Sequence, residues 1–374
     1  MTAPRIWLAR PDVGEAELDE VRSVLDSGTL TQGPKVAALE RMVADLVGVP
    51  HAFATTSATT ALHLSLVAAG IGPGDEVLVP DFTFPATANV VVQQGAVPVL
   101  VDVDLETFAI DSEEMERRIT ARSKAVIPVH PFGLPADLEA VTAVAHRHGL
   151  TVIEDAACAL GARLADRPVG SFGLAGCFSF HPRKSITTGE GGMITTSDDA
   201  LAARIGILRS HGGVREGGRF RFEAAGFNYR MSDILAAVGV AQMRRFDEHL
   251  AARRRVAGWY AARLTGAAGI RAPITPEGRT HTFQSYVVLL DDRLDRDAVI
   301  ASLAEAGIET TIGTYALHAE PFFASTCGLR PGERPQSWRA ARSSLALPLH
   351  AAVSEEDVDR VVDELGHAID RQGH

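Results

Sequence analysis

Lys184 is one of only three lysines among the 36 basic residues of the chain, and the other 33 are arginines. Pro182 precedes it in a predicted loop, and a glycine-rich turn at 189–192 follows it. An arginine stays protonated, whereas a desolvated lysine can form an imine with an aldehyde. The glycines would let the backbone approach a flat ligand closely. Taken alone, Lys184 is interpreted equally well as a solvated loop lysine or as a Schiff-base former.

Asp155 directly follows the apolar run 151–154, which predicts a strand. Ligands collect at the carboxyl ends of parallel strands, and a buried carboxylate requires a cation. A protonated pyridine nitrogen would be such a cation, and the pair would keep the ring an electron sink. The alternative is that Asp155 caps a helix over the following AACALGA segment.

The segment 55–60 (TTSATT) places small and hydroxyl residues directly before an apolar helical pattern. Backbone amides at the positive end of a helix, together with nearby hydroxyl groups, form an anion site. Plain N-capping by Ser57 or Thr59 explains the same pattern. Both interpretations therefore stay open for this segment.

Alternating helices and short apolar strands predict how these residues are positioned. Buried strands are expected at 76–80, 97–103, 125–130, 151–154, 176–180 and 193–196. Helices are expected at 15–27, 34–47, 59–69 and 136–148, the first three ending at Gly28, Gly48 and Gly70. The alternation predicts an α/β fold in which a mostly parallel central sheet is flanked by helices.

The alternation stops in the C-terminal third of the chain. A long helix at 232–264, a strand at 284–290 and helices at 295–306 and 354–370 predict an α+β arrangement there. A chain of 374 residues also exceeds what one hydrophobic core usually supports. We therefore expect a large domain at 1–245 and a smaller C-terminal domain at 246–374.

Composition excludes several classes of partner. The net charge of −11 argues against nucleic acid and anionic membranes. The three cysteines are far apart and have no metal-ligand spacing, so neither a disulfide framework nor a metal site is expected. Because no signal peptide and no apolar run long enough to span a bilayer is evident, a cytoplasmic location is expected.

Eight ordered motifs together resemble the fold-type I enzymes that use pyridoxal 5′-phosphate (PLP), and among them the DegT/DnrJ/EryC1/StrS sugar aminotransferases. The resemblance covers nearly the whole chain, and the motifs are SGTLTQGP (27–34), ATTALHLSL (58–66), GIGPGDEVLVPDFTFPATAN (70–89), VHPFGLPADL (129–138), EDAACALGA (154–162), SFHPRKSITTGEGGM (179–193), GFNYRMSDILAAVGVAQ (226–242) and LALPLH (345–350).

The resemblance implies a role for each matching cofactor residue. Lys184 would carry PLP as a Schiff base and move protons, while Asp155 would pair with the pyridine nitrogen. The cofactor phosphate would lie against Ser179 and the Ala58–Thr59 segment, where Ala58 replaces the glycine usual in the family. Phe84 would stack on the ring, although core packing explains it as well. Cys158 replaces the His or Gln that usually holds the ring near its hydroxyl.

Other matching positions concern the substrate and the partner subunit. Asn228 resembles the residue that reaches the phosphate from a neighbouring subunit, and Arg230 would lie nearby, which implies a homodimer with a shared active site. Tyr315 and His318 are placed near a sugar-nucleotide mouth, although both also suit packing. Gln284 stands where His is common.

The resemblance implies an aminotransferase that moves an amino group from glutamate or glutamine to a keto sugar, with a nucleotide-linked keto-deoxysugar as the expected substrate, in a ping-pong reaction. Sugar dehydration on the same scaffold is disfavoured because it uses His in place of the lysine. Two alternatives stay open: a keto-cyclitol or other non-nucleotide ketone as substrate, or a paralogue that binds PLP without catalysis.

Overall fold

The computed structural model describes residues 5–372. The α-helices within that range are α1 (Glu15–Ser27), α2 (Pro34–Val47), α3 (Ala58–Ala68), α4 (Ala86–Gln93), α5 (Ser112–Arg117), α6 (Leu138–His148), α7 (Asp199–Arg209), α8 (Asp233–Arg244), α9 (Phe246–Leu264), α10 (Arg296–Glu305), α11 (Pro321–Cys327), α12 (Pro335–Ser343) and α13 (Glu355–Asp370). Two 3₁₀ turns occur at Pro131–Gly133 and Leu317–Ala319.

Strands β1 to β10 belong to the N-terminal two thirds: β1 (His51–Thr55), β2 (Glu76–Pro80), β3 (Phe82–Thr83), β4 (Val97–Val101), β5 (Ser123–Val126), β6 (Thr151–Asp155), β7 (Arg163–Leu164), β8 (Arg167–Pro168), β9 (Ala175–Ser179) and β10 (Gly192–Thr196). The later strands are β11 (Gly213–Glu216), β12 (Arg219–Phe222), β13 (Ile270–Arg271), β14 (Arg279–Thr280), β15 (Tyr286–Leu290), β16 (Thr311–Ile312), β17 (Tyr315–Ala316) and β18 (Ser344–Leu347).

The central sheet has seven strands in the order β1-β10-β9-β6-β5-β2-β4. Every pairing from β9 to β4 is parallel, and β10 runs antiparallel to both of its neighbours. This confirms the predicted mostly parallel sheet. Strand β1 was not predicted, because HAFAT begins with a polar residue and its first three residues are only half-buried.

Helices cover both faces of this sheet, as predicted. Helices α3, α4 and α7 bury Leu64, Val90 and Ile205 in one apolar core. Helices α2 and α8 bury Leu39 and Val240 in a second core, on Phe178 of β9. The predicted helix ends at Gly28 and Gly48 are confirmed, since both glycines adopt left-handed φ values of 70° and 74°.

The predicted single helix at 232–264 is wrong. Helix α8 ends at Arg244, and α9 begins at Phe246. The intervening Arg245 has φ −107° and ψ 14°, which lies outside the helical region and turns the chain. Sequence periodicity hides this break, since Arg245 is an ordinary helix former.

A second sheet, β13-β15-β18-β16, is antiparallel and lies in the C-terminal third. Helices α9, α10 and α13 pack with it in a separate apolar core. Ile6 joins that core, and its backbone pairs with Gly307 and Glu309. The N-terminal segment therefore packs on the C-terminal unit, and the boundary at residue 245 stays a prediction. No helix in the described range is long and apolar enough to cross a membrane.

Asp233, at the start of α8, fixes the loop that leads into α2. Its buried carboxylate accepts hydrogen bonds from the backbone amides of Val36 at 2.8 Å and Lys35 at 3.3 Å. Its own amide donates to the Leu30 carbonyl at 2.9 Å. Asp233 thus caps a helix that is remote from it in sequence.

We expect Asp233→Ala to lower the free energy of unfolding by about 1–2 kcal/mol, because two amides in the first turn of α2, that of Val36 buried and that of Lys35 half-buried, lose their acceptor. Urea denaturation of the holoenzyme measures the loss. Asp45→Ala is the control. Asp45 is exposed on α2, the helix that Asp233 caps, so this substitution should change stability far less. Equal effects of the two substitutions would show that the cap contributes nothing specific.

Candidate active site

Four neighbouring strands, β6, β9, β10 and β1, position the predicted cofactor residues. Strands β6 and β9 are parallel neighbours, so Asp155 and Ser179 lie at the same edge of the sheet. In the next two strands, Ser179 pairs with Gly192, and Gly192 pairs with Thr55. A side chain at Gly192 would lie 2.4 Å from the Ser57 carbonyl carbon, so the close approach of the loop before α3 requires glycine there.

The structure confirms the capping interpretation of segment 55–60 and leaves the anion-site interpretation a prediction. Ser57 is the N-cap of α3, and its hydroxyl accepts from the Thr60 amide at 3.1 Å. Ala58 and Thr59 form the first turn, where backbone amides have no acceptor within the helix. Capping therefore falls to Ser57, and the amides of Ala58 and Thr59 remain suited to an anion.

Asp155 is a buried carboxylate at the end of β6. Thr87 on α4 donates its hydroxyl to Oδ2 at 2.8 Å, and the Ala157 amide donates to Oδ1 at 3.2 Å. Burial raises the pKa of Asp155, and these hydrogen bonds with the charges of Lys184 and His130 oppose that rise. The Asp155 carboxylate is therefore already positioned and poorly solvated, so its ionised form would be stabilised by a fixed cation beside it.

Lys184 extends its amine toward Cys158, with 3.0 Å between Nζ and Sγ. Both residues are half-buried. The Cys158 carbonyl in turn accepts from the Thr282 hydroxyl at 3.3 Å. The structure thus brings Lys184 and Cys158 into direct contact, next to the strand end that carries Asp155.

The backbone of the Lys184 loop is held by residues from the C-terminal third. Arg253 on α9 donates to the Lys184 carbonyl at 2.8 Å, and Gln284 donates its side-chain amide to the Arg183 carbonyl at 2.9 Å. Sequence reasoning missed Arg253, which stands in a run of three arginines. Its helical spacing with the buried Leu250 and Val256 was the available signal.

Thr87 was also missed as a site residue. It follows Pro85 near the start of α4, in the same DFTFPAT segment as Phe84. A threonine in the first turn of a helix is ordinarily a capping residue, so its type alone carries no signal. Only the position of α4 against the end of β6 reveals its contact with Asp155.

Phe84 and Tyr315 lie near each other at a pair of short antiparallel strands. Strand β3 pairs with β17, and in that register Tyr315 lies opposite Thr83, the residue before Phe84. Phe84 is 65% exposed and Tyr315 is 39% exposed. Core packing therefore does not explain Phe84, and both rings remain available to a ligand or to a second subunit.

His318 requires a correction, because its ring cannot contact a substrate. The residue is fully buried, and Nδ1 lies 2.6 Å from an Asp81 carboxylate oxygen. The Gly332 amide donates to Nε2 at 3.0 Å, which assigns the proton to Nδ1. The geometry therefore supports a packing role for His318, because both ring nitrogens form hydrogen bonds inside the protein.

Asn228 and Arg230 lie on a segment that runs beside residues 55–60 of the same chain, the predicted phosphate loop. Arg230 bridges to Thr55, and the Thr56 amide donates to the Tyr229 carbonyl at 3.1 Å. The Arg230 guanidinium contacts Ser210 at 3.1 Å and His211 at 3.2 Å. Asn228 is exposed. The backbone around Arg230 therefore lies beside this segment although it is remote in sequence, and the exposed Asn228 is accessible to another subunit.

A model of the DegT/DnrJ/EryC1/StrS aminotransferase family matches residues 11–366. The chain belongs to this family. GDP-perosamine synthase of Caulobacter vibrioides is 44% identical over 373 residues, which cover 98% of this chain and 99% of that protein. The sugar aminotransferase Spr1654 of Streptococcus pneumoniae, in its PMP form, superposes with a TM-score of 0.95 at 28% identity, covering 98% of both chains.

A further solved structure, 3-amino-5-hydroxybenzoic acid synthase, superposes with a TM-score of 0.92 at 28% identity and covers 99% of this chain and 100% of its own. These comparisons confirm the predicted family, fold and enzyme class. The chain is a PLP-dependent aminotransferase of the sugar aminotransferase family.

The donor set of the site fits PLP. Asp155 offers a buried carboxylate to a ring nitrogen, Lys184 offers an amine, and the start of α3 offers amides and a hydroxyl to a phosphate. Within residues 5–372, no cluster of His, Cys, Asp or Glu has the arrangement of a metal site.

We expect Thr87→Val to lower kcat by about 10- to 100-fold, since a hydrogen bond to a charged group contributes about 1.5–3 kcal/mol. Loss of the bond also raises the pKa of Asp155 further, which weakens its hold on a ring cation. Steady-state kinetics and the visible spectrum against pH measure both effects. Thr87→Ser should restore most of the activity.

Thr83→Val is the matched control for this prediction. The Thr83 hydroxyl lies 3.1 Å from the Thr87 hydroxyl, so its removal perturbs the same buried cluster while leaving the Thr87–Asp155 bond in place. If Thr83→Val and Thr87→Val reduced kcat equally, the contact with Asp155 would have no particular importance.

Proposed function

We propose that this enzyme transfers an amino group from glutamate or glutamine to a nucleotide-linked keto sugar. The observation that carries the proposal is the 44% identity to GDP-perosamine synthase over almost the full length of both chains. The intact set of Lys184, Asp155 and Ser179 at one sheet edge supports the same chemistry.

When bound, PLP supplies the electron sink on which the amino group is carried between donor and acceptor. Lys184 is proposed to hold the cofactor and to move a proton at Nζ to and from the reacting carbon. Asp155 keeps a proton on the ring nitrogen, because its buried carboxylate is stabilised by that positive charge. Ser179, Ala58 and Thr59 orient the phosphate.

The remaining site residues are proposed to shape the environment of the ring. Phe84, which is exposed at the mouth, stacks on the ring face. Cys158 would lie close to the ring, because its sulfur is 3.0 Å from the lysine amine that would hold the cofactor. Tyr315, beside Phe84, contributes to the substrate entrance. Arg230 lies close enough to the phosphate loop to attract an anionic substrate.

The active site is also proposed to be shared between two copies of the chain. Leu18, Leu25 and Leu30, in and after α1, are 48%, 57% and 44% exposed. Leu18 and Leu25 are seven residues apart on α1 and so share one face of the helix, and an exposed apolar face is a candidate protein interface. A twofold partner bound there would supply Asn228 to the phosphate of the first subunit.

Lys184→Arg should abolish amino transfer, because a guanidinium neither forms the imine nor moves the proton. The wild-type holoenzyme should be yellow and should lose its long-wavelength absorbance when glutamate is added. The acceptor is identified by product mass after incubation with nucleotide-linked keto sugars, keto-cyclitols and glutamate. Turnover of any ketone by Lys184→Arg would contradict the mechanism. A wild-type absorbance spectrum that does not change when any amino donor is added would indicate a non-catalytic paralogue.

Subunit mixing tests the shared site. Lys184→Ala and Asn228→Asp should each impair the enzyme, the second because a carboxylate repels the cofactor phosphate. If Asn228 acts across the interface, each mixed dimer has one intact site, and random mixing restores roughly a quarter of wild-type activity. Gel filtration with light scattering provides the dimer control. Absence of any recovery from mixed dimers would place Asn228 in its own subunit's site.

A second candidate substrate class, a ring ketone without a nucleotide, is favoured by the similarity to 3-amino-5-hydroxybenzoic acid synthase. The name of that relative contains no nucleotide, yet the two chains align over nearly their full lengths. The panel of nucleotide-linked keto sugars and keto-cyclitols separates the two substrate classes. Only one class should give an aminated product when the acceptor is supplied at low concentration.

A further inference from the structure

Cys158 and Lys184 form a contact that the proposed amino transfer does not require. The Lys184 amine nitrogen lies 3.0 Å from the Cys158 sulfur, and positioned groups react at separations of about 3–3.5 Å. Both residues are half-buried, so a small solute can reach the pair. A sulfur that can be oxidised is thus held against a nucleophilic amine.

The backbones of both residues are anchored, so the contact does not depend on the two side chains alone. The Lys184 carbonyl accepts from Arg253 at 2.8 Å, and the Lys184 amide donates to the His181 carbonyl at 2.8 Å. The Cys158 carbonyl accepts from the Thr282 hydroxyl at 3.3 Å. Because each residue is fixed by other parts of the chain, the amine and the sulfur stay within reach of each other.

The other two cysteines have different surroundings. Cys177 is buried in β9, with its sulfur 3.4 Å from the Ser65 hydroxyl. The sulfur of Cys327 lies 3.7 Å from the Pro98 carbonyl. Burial raises the pKa of both thiols, that of Cys327 to about 11. Since the thiolate is the form that an oxidant attacks, these two cysteines should resist oxidation.

We propose that Cys158 and Lys184 form a redox-sensitive pair, in which hydrogen peroxide converts the Cys158 thiol to a sulfenic acid and the Lys184 amine captures it as a covalent sulfenamide. In the first step the sulfur takes one oxygen atom from peroxide, which is reduced, and one water is released. In the second step the nitrogen lone pair forms the S–N bond. The hydroxyl on sulfur leaves with a proton from the amine as a second water.

The S–N bond blocks the active site and protects it. Lys184 can then neither hold the cofactor nor move a proton, and the sulfur is kept from irreversible oxidation to a sulfinic acid. Thiols reverse the bond: one thiol releases the amine and leaves a mixed disulfide, and a second restores the Cys158 thiol. This inference rests on the proposed role of Lys184, because the amine is free only when it is not bonded to the cofactor.

The test compares two forms of the holoenzyme, one loaded with PLP and one with its aminated form, pyridoxamine 5′-phosphate. Lys184 is bonded to the first cofactor and free beside the second, whichever amino donor the enzyme uses. After hydrogen peroxide treatment, mass spectrometry should find the Cys158 and Lys184 peptides joined, two hydrogen atoms lighter than their sum. We expect about tenfold more of this product in the pyridoxamine form, because only a free amine attacks the sulfur. Dithiothreitol should cleave the product and restore activity.

Three variants serve as controls. Cys327→Ser is the matched one, because Cys327 is half-buried like Cys158 but its sulfur contacts a carbonyl instead of an amine, so the yield should not change. Cys158→Ser should abolish the product. In Lys184→Ala the sulfenic acid meets no amine, so it should accumulate, react with dimedone and proceed to a sulfinic acid.

Two results would overturn the proposal. Conversion of Cys158 to a sulfinic acid in the pyridoxamine form, with Lys184 unmodified, would show that the amine does not reach the oxidised sulfur. An unoxidised Cys158 in both forms, at peroxide concentrations that oxidise glutathione, would show that its thiol is unreactive. Equal cross-linking in the two forms would support the S–N bond and contradict the role of Lys184 in holding the cofactor, so the two proposals fail separately.

Discussion

The burial of the Asp155 carboxylate is the constraint on which the site depends. A charged group at the end of β6, removed from water, is stable only with hydrogen bonds and a nearby cation. The parallel order of β5, β6 and β9 creates that position, and α4 supplies Thr87 to hold the carboxylate. The fold therefore maintains an unfavourable charge that a protonated ring nitrogen relieves, which couples cofactor binding to the stability of the sheet edge.

Lys184 depends on a different part of the chain from Asp155. Its amine points to the sheet edge, yet its carbonyl is held by Arg253 of α9, and the preceding residue is held by Gln284 before β15. Contacts between the N-terminal and C-terminal portions of the chain therefore determine where the Lys184 amine lies relative to Asp155. A change in how those portions pack would move the amine relative to the ring, which makes the C-terminal third part of the catalytic machinery.

Local sequence signals predicted the elements that end at glycines or follow apolar runs. Strand β6 with Asp155 and helix α2 between Pro34 and Gly48 are such cases. The signals failed where a residue acts through a remote contact. Thr87 and Arg253 look like ordinary helix residues, and the polar His318 suggested a ligand contact although Asp81, distant in sequence, binds it in the interior. Long-range pairings of this kind leave no periodic pattern in the sequence.

The contact between Lys184 and Cys158 has a consequence for the reactivity of the amine. A carboxylate at this position would form an ion pair that favours the protonated, non-nucleophilic ammonium. A cysteine sulfur is a weaker hydrogen-bond partner than a carboxylate, so its contact orients Nζ without forming an ion pair of the carboxylate kind. Within the described residues, Lys184 has no acidic partner at ion-pair distance, whereas Lys35 is paired with Glu20. The contact with Cys158 therefore positions the Lys184 amine while no carboxylate competes for it, which suits a lysine that must react at Nζ.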